Sequence, residues 1–282
     1  MIIKVLAENT SVAPELGSEH GLSLYIETRR HKLLFDTGAS ALFVQNAAKL
    51  DVDLAAVDTV ILSHGHYDHG GGLKAFMEMN SNAQVYLNRA AFAEHCSKRA
   101  NGEIRYIGLD SSLLPSERFV FTGDRLKIDG ELELFTAIKR CEEFVPAANQ
   151  GLLVRFGGSL VADDFAHEQN LVIRENGKAL LLTGCAHAGI VNIIGRFHEL
   201  TGGMPDYVVG GFHLARGSAG QSESPSLIQA LGRHLAGTRA MFYTCHCTGI
   251  QPYSLLREVM AESIKYISTG DQILIKPKGE ER

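Results

Sequence analysis

The chain has 282 residues, 45% of them apolar and 21% charged, with a net charge of −5. That is enough for one large domain or two small ones, each with a core. With no block of five like charges and no basic excess, nucleic acid and anionic membrane are not expected as partners. No run approaches the ~18 apolar residues of a membrane span.

The opening "MIIKVLAENT" is too short and interrupted an apolar stretch for an export signal. Five cysteines (Cys96, Cys141, Cys185, Cys245, Cys247) are an odd number at irregular spacing. They predict reduced thiols in a cytoplasmic protein, not a disulfide framework.

"MIIKVLAE", "GLSLYIET" and "HKLLFDTG" predict the first strands; Leu22, Leu24 and Ile26 alternate with the period of a half-buried strand. "SALFVQNAAKLDVDL" has helical apolar spacing, with Ser40 as N-cap. "AVDTVILS" predicts a buried strand, "GGLKAFMEMN" a helix, "AQVYLN" a strand and "RAAFAEHCSKRA" a helix. From about 100 to 150 the pattern weakens into an irregular excursion. "NLVIRENGKALLLTGC" predicts a hairpin whose Asn176-Gly177 pair suits a type I′ turn. "IVNIIGRFHELTGG" is a helix closed by Gly202, and "YVVGGFHL" a strand and loop. "SPSLIQALGRHLAG" is a helix capped by Ser224 with Pro225 in its first turn. "AMFYTCHCTG" is a strand and loop, "PYSLLREVM" a helix, and "IKYISTGDQILI" the closing strands. The runs 1–96 and 170–282 are similar, and each sends a strand into a loop rich in coordinating side chains. Two sheets packed face to face with helices outside would bring those loops to one edge.

"ILSHGHYDHGGGL" holds His64, His66, Asp68 and His69 within six positions. Side chains at i and i+2 of an extended segment point the same way, so His64 and His66 can grip one cation. Asp68 and His69 turn away toward a second. Imidazole with a carboxylate suits Zn²⁺, with Fe or Mn as substitutes. Glycines at 65, 70, 71 and 72 let the backbone fold tightly around the loop.

"SHGHYDHGGGL" resembles the signature of the metallo-β-lactamase superfamily, and "FDTG" at 35 to 38 resembles its early strand and turn. "LLTGCAHAGIVNII", "VVGGFHLA" and "YTCHCTG" resemble the subgroup related to the archaeal 7,8-dihydropterin-6-methyl-4-(ribofuranosyl)aminobenzene 5′-phosphate synthase, a dihydropteroate-synthase-like enzyme. The resemblance implies an α/β chain forming a single domain over 1–282. Its fold is an αββα sandwich, two mixed sheets face to face with helices outside, and its metal site, with two zinc ions, lies on the sheets' common edge. By that resemblance His64 and His66 match the first metal site, Asp68 and His69 the second, and His246 the last histidine ligand. The remaining first-site ligand is assigned to His187, two residues beyond Cys185. His167 in "DDFAHEQN" is the rival, because the superfamily commonly places a ligand just before the hairpin. Many relatives have "TGD" where this chain has "TGC", so Cys185 is either a second-site ligand or a buried thiol.

Cys245 and Cys247, if their segment is extended, point opposite to His246 and pack. His213 is a candidate contact for substrate or for a developing negative charge. His20, His31, His95, His198 and His234 fall in turns or on helix faces, with no role assigned. The resemblance then implies a hydrolase in which a metal-bound hydroxide, oriented by Asp68 and assisted by His213, attacks an ester or phosphoester of a small molecule. Two alternatives stand beside it. One is a pterin-related transferase condensing a dihydropterin diphosphate with an arylamine; the other is a non-catalytic metal or ligand sensor. Oligomeric state is not legible in the sequence.

Overall fold

The computed structural model describes residues 1–216 and 221–279, which divide into two compact units. Of the described residues the first comprises 1–125, 150–169 and 268–276, and the second 126–149, 170–267 and 277–279.

Among the described residues the first unit carries one seven-stranded mixed sheet. Its strands are β1 (Ile2–Ala7), β2 (Ser23–Glu27), β3 (Lys32–Phe35), β4 (Thr59–Ile61), β5 (Gln84–Asn88), β8 (Phe119–Thr122) and β20 (Gln272–Leu274). The order is β20-β1-β2-β3-β4-β5-β8, antiparallel from β20 to β3 and parallel from β3 to β8. A four-stranded sheet joins β6 (His95–Lys98), β7 (Ile104–Tyr106), β11 (Leu152–Phe156) and β12 (Ser159–Ala162) in the order β12-β11-β6-β7. Helices α1 (Leu42–Lys49), α2 (Tyr67–Gly70) and α3 (Leu73–Met79) complete the unit. Leu34, Val60 and Val85 of the sheet and Phe43 and Phe76 of α1 and α3 are buried in one cluster. Each such side chain contributes about 1.5–3 kcal/mol on leaving water.

The second unit carries β9 (Arg125–Lys127), β10 (Leu132–Phe135), β13 (Asn170–Glu175), β14 (Lys178–Leu182), β15 (Tyr207–Gly210), β18 (Met241–Thr244) and β19 (Ile264–Tyr266). The sheet order is β19-β18-β15-β14-β13-β10-β9, and β14, β15, β18 and β19 run parallel. A short ribbon pairs β16 (Ala215–Arg216) with β17 (Gln221–Ser222). Helices α4 (Ile190–Thr201), α5 (Pro225–Gly237) and α6 (Ile250–Met260) bury Ile193, Phe197, Ile228, Leu231 and Leu256 in a cluster with Val208 and Phe242 of the sheet. No helix among the described residues is long and apolar enough to cross a membrane.

The turn chemistry follows the sequence closely in the second unit. Asn176 and Gly177 both have positive φ, at 53° and 74°, as a type I′ hairpin requires. Gly202 closes α4 in the left-handed conformation, and the Ser224 side chain accepts from Leu227 N–H ahead of Pro225. Two expectations fail in the first unit. The segment 89–100 does not form a helix: a short 3-10 turn at Arg89–Phe92 gives way to β6, because pairing with β7 and β11 overrides the local composition. Ser40 is not the cap residue of α1; Ala41 holds that position, while Ser40 Oγ accepts from Leu42 N–H at 3.1 Å and donates to Glu19.

Candidate metal centre

The histidine loop leaves the C-terminal end of β4, and α2 begins within it. His66 is the N-cap of that single turn, with Asp68 and His69 inside it. Gly65 has no room for a side chain: a Cβ there would run into the backbone of Ala91. The loop is further held by the 163–169 segment. Gln169 N–H donates to the Ser63 carbonyl at 2.8 Å, and its Nε2 donates to the Leu62 carbonyl at 2.8 Å.

Three buried rings converge here. His64 Nε2 lies 3.1 Å from His66 Nδ1, and the His64 and His69 ring centroids are 4.1 Å apart. Asp36, in the "FDTG" turn at φ 59°, orients two of them. Its Oδ2 accepts from His69 Nδ1 at 2.6 Å and from the Ser63 hydroxyl at 2.7 Å. Because Ser63 donates to Asp36, His64 Nδ1 donates to Ser63 Oγ at 2.9 Å. Both rings therefore commit Nδ1 to these acceptors, so Nε2 is the nitrogen that would ligate a cation. Asp68 faces His20, with Oδ2 3.2 Å from Nε2.

His66 also belongs to a second buried group with His95, Asp163 and His167. Each of the four offers a ligand atom within 4.8 Å of the others. Asp163 Oδ2 lies 2.8 Å from His95 Nδ1 and 3.4 Å from His167 Nε2, while His167 Nδ1 accepts from Gly65 N–H at 2.8 Å. Burial holds His66 well below its ordinary pKa, with the neighbouring His167 ring adding to the effect, so His66 is neutral near pH 7. Burial likewise lowers His167, against the opposing pull of Asp163. Burial alone would raise the Asp163 carboxyl, but hydrogen bonds from His167 and His95 outweigh it and keep it ionised far below the usual carboxylate range.

In the second unit, the loops after β14, β15 and β18 carry Cys185 and His187, His213, and His246 and Cys247. His187 Nδ1 donates to Asn149 Oδ1 at 2.8 Å, and Asn149 returns a bond to the His187 carbonyl, which fixes that ring with its Nε2 lone pair presented. The His187 and His213 centroids are 4.2 Å apart. Cys185, His213 and Cys247 each offer a ligand atom within 4.8 Å of the others. The "CHC" segment is not extended throughout: His246 has φ 52° and opens a 3-10 turn. Alternation fails there, and the Cys247 sulfur instead accepts from His213 N–H at 3.3 Å. Burial pushes the Cys247 thiol up, yet contacts with Cys185, His213 and the His246 ring outweigh it and hold it well below its ordinary value.

Thus the first unit brings together His64, His66 and His69 with His167, the rival ligand, and adds Asp36, Ser63, His95 and Asp163, which the motif spacing did not supply. "FDTG" was visible, but which carboxylate orients which ring depends on β3 and β4 being neighbours. His95 stands on a buried strand, not a helix face. The donor set fits a divalent transition metal: buried imidazoles, those of His64 and His69 held by Ser63 and Asp36, and a carboxylate.

The sequence profile of the metallo-beta-lactamase superfamily matches residues 16–186, and the chain belongs to that superfamily. It is 28% identical to the 7,8-dihydropterin-6-methyl-4-(beta-D-ribofuranosyl)-aminobenzene-5′-phosphate synthase of Methanocaldococcus jannaschii over 270 residues, covering 90% of this chain and 89% of that protein. A second protein of the same organism, the uncharacterized MJ0448, is 28% identical over 266 residues, covering 92% and 94%. The crystal structure of Tm1679, described as a metal-dependent hydrolase of the beta-lactamase superfamily, superposes with a TM-score of 0.80 at 28% identity, over 98% of this chain and 99% of that one. The fold is accordingly α/β with mixed sheets, that of the metallo-β-lactamase proteins.

Proposed function

We propose that the chain acts as one metallo-β-lactamase-like domain, a zinc-dependent hydrolase of a small-molecule ester or phosphoester. The observation that carries this reading is the His64, His66 and His69 cluster, buried and with the His64 and His69 tautomers set by Ser63 and Asp36. The proposed ligands are His64, His66, Asp68 and His69 of the first unit and Cys185, His187 and His246 of the second, with His167 the rival to His187. Zinc, when bound, supplies a Lewis acid that brings the pKa of a coordinated water to about 7. The chain's own contribution is to hold the rings: Asp36 keeps the His69 proton on Nδ1, Ser63 keeps that of His64, and burial keeps His66 unprotonated. Asp68, at the start of α2 and next to His20, is proposed to orient the nucleophile.

A transferase reading is favoured by one observation, the likeness to the pterin-related synthase along 90% of the chain. The two differ in whether water or an arylamine is the nucleophile. The test is elemental analysis of protein purified without added metal, followed by an assay panel of carboxylic esters, phosphodiesters, and a dihydropterin diphosphate with and without arylamine. Stoichiometric zinc and chelator-sensitive ester or phosphoester cleavage is the expected result. Amine-dependent release of pyrophosphate with no hydrolysis would replace the hydrolase by the transferase, and protein that takes up no metal would remove both.

A further inference from the structure

The second unit holds a donor set of a different kind. Parallel strands present their ligand-binding loops at their C-terminal ends, and β14, β15 and β18 are adjacent and parallel. Their three loops bring Cys185, His213 and Cys247 together, with ligand atoms no more than 4.8 Å apart. We propose that Cys185, His213 and Cys247 form a thiolate-rich site for Zn²⁺ or a similarly borderline-soft divalent cation, built wholly within the second unit.

Four observations support it. Both ring nitrogens of His213 are buried, and among the described residues neither has a hydrogen-bond partner, apart from the Cys247 thiol that the ring faces. A buried imidazole of that kind calls for a ligand. His213 also sits at φ 50°, in the left-handed region, with a ring nitrogen within 4.8 Å of both sulfurs. Gly211 is needed where it stands, since a Cβ there would overlap the Cys247 sulfur. Finally, the distances suit the ion. Three atoms at most 4.8 Å apart share a point within about 2.8 Å of each, so shifts well under ~1 Å reach a Zn–S bond of ~2.3 Å and a Zn–N bond of ~2.0 Å. Two thiolates and an imidazole select zinc-class ions over Mg²⁺ or Ca²⁺ and leave a fourth position open. Binding releases the remaining thiol protons to solvent. In this assignment His213 serves the cation and not a substrate oxyanion.

Cys185 also stands in the ligand set proposed for the hydrolase, so the test must separate the two. Metal-free full-length protein is titrated with Co²⁺, whose bonds to thiolate give a near-ultraviolet charge-transfer band proportional to the number of sulfurs. The expected result is a wild-type band of two thiolates that falls to half in Cys247→Ser and in Cys185→Ser. His213→Ala keeps the near-ultraviolet band and changes the visible one. A His64→Ala/His66→Ala/His69→Ala variant, folded by circular dichroism, loses hydrolysis yet keeps the two-thiolate band. Should Cys247→Ser not fold, Cys247→Asp is read in its place, with one thiolate expected. A wild-type band of one thiolate or none overturns the proposal whatever the variants do. So does an unchanged band in the Cys247 variant, or its loss in the folded triple variant.

Discussion

The two units present coordinating side chains by opposite means. In the first, the rings are aimed by side-chain hydrogen bonds: His69 by Asp36, His64 by Ser63, and His167 by Gly65 N–H and Asp163. In the second, the aim comes largely from backbone conformation. Ala186, His213 and His246, one in each of the three loops, have φ of 56°, 50° and 52°. Asn149, a neutral amide, orients the His187 ring there through its side chain. An anionic acceptor holds a proton more firmly than a neutral one and raises the basicity of the opposite nitrogen. A strained loop instead fixes where a donor points without changing its charge. In the first unit a carboxylate thus stands behind His69 directly and behind His64 through Ser63, whereas in the second the backbone supplies position and the thiols supply the charge.

The largest effect expected is on chemistry. His64→Ala or His66→Ala should cut ester or phosphoester turnover by at least about a thousandfold, about 4 kcal/mol of transition-state stabilisation. Cys185→Ser should cost less, because a thiolate is not the donor that sets the first site; a larger loss from Cys185→Ser would reverse the ranking of the two units. Next come two glycines. Gly65→Ala meets backbone atoms of Ala91, and Gly211→Ala chiefly the end of the Cys247 side chain. Urea unfolding should show about 3 kcal/mol lost in the first and about 1 kcal/mol in the second. Equal losses would mean that the second loop is as rigid as the first.

Asp36→Asn keeps the shape of the turn but removes the anion behind His69. Chelator competition should show metal affinity reduced about 10–100-fold, with Asn149→Ala costing about tenfold or less. Equal losses would remove the distinction drawn between charged and neutral orientation. The smallest effect is on pH dependence. His66 and His167 have pKa values lowered in the fold against about 6.5 in the unfolded chain. The unfolded state therefore binds more protons just below pH 6.5. Stability of the metal-free protein is full above that pH and is lost as pH falls toward the folded values, by up to about 1.4 kcal/mol per pH unit for each ring. Denaturant midpoints at pH 7.5 and 5.5 read this, and His167→Gln should flatten the slope. An identical slope in that variant would show that His167 does not titrate as described.

Most strands and the hairpin were legible because their signals are local. Asn176-Gly177 demands positive φ, Gly202 ends a helix, and Ser224 with Pro225 starts one. The H-x-H-x-D-H motif was legible for the same reason: its donors are neighbours in sequence. What was not legible depends on long-range pairing. Asp36 reaches His69 and Ser63 only because β3 and β4 lie side by side. His95 and Asp163 are 68 residues apart, and each reads as an ordinary polar residue until β6 and β11 pair. Cys247 pointed away from its neighbours only while "CHC" was extended, and a single positive φ at His246 reverses that. Ser40 and the 89–100 segment show the converse, local preference overruled by what packs beside it.

The pairing of β20 with β1 has a consequence for the life of the polypeptide. Ile2, Ile3 and Lys4 pair with Leu274, Ile273 and Gln272, so β1 waits for β20, a strand from far along the chain, to cover its outer edge. At a synthesis rate of about 5–20 residues per second, that edge stands open for roughly 10–50 seconds on the ribosome. Unpaired strand edges recruit other strands. The interval is therefore when a nascent copy is most exposed to its neighbours on the same message, and when a chaperone that shields extended segments has most to protect.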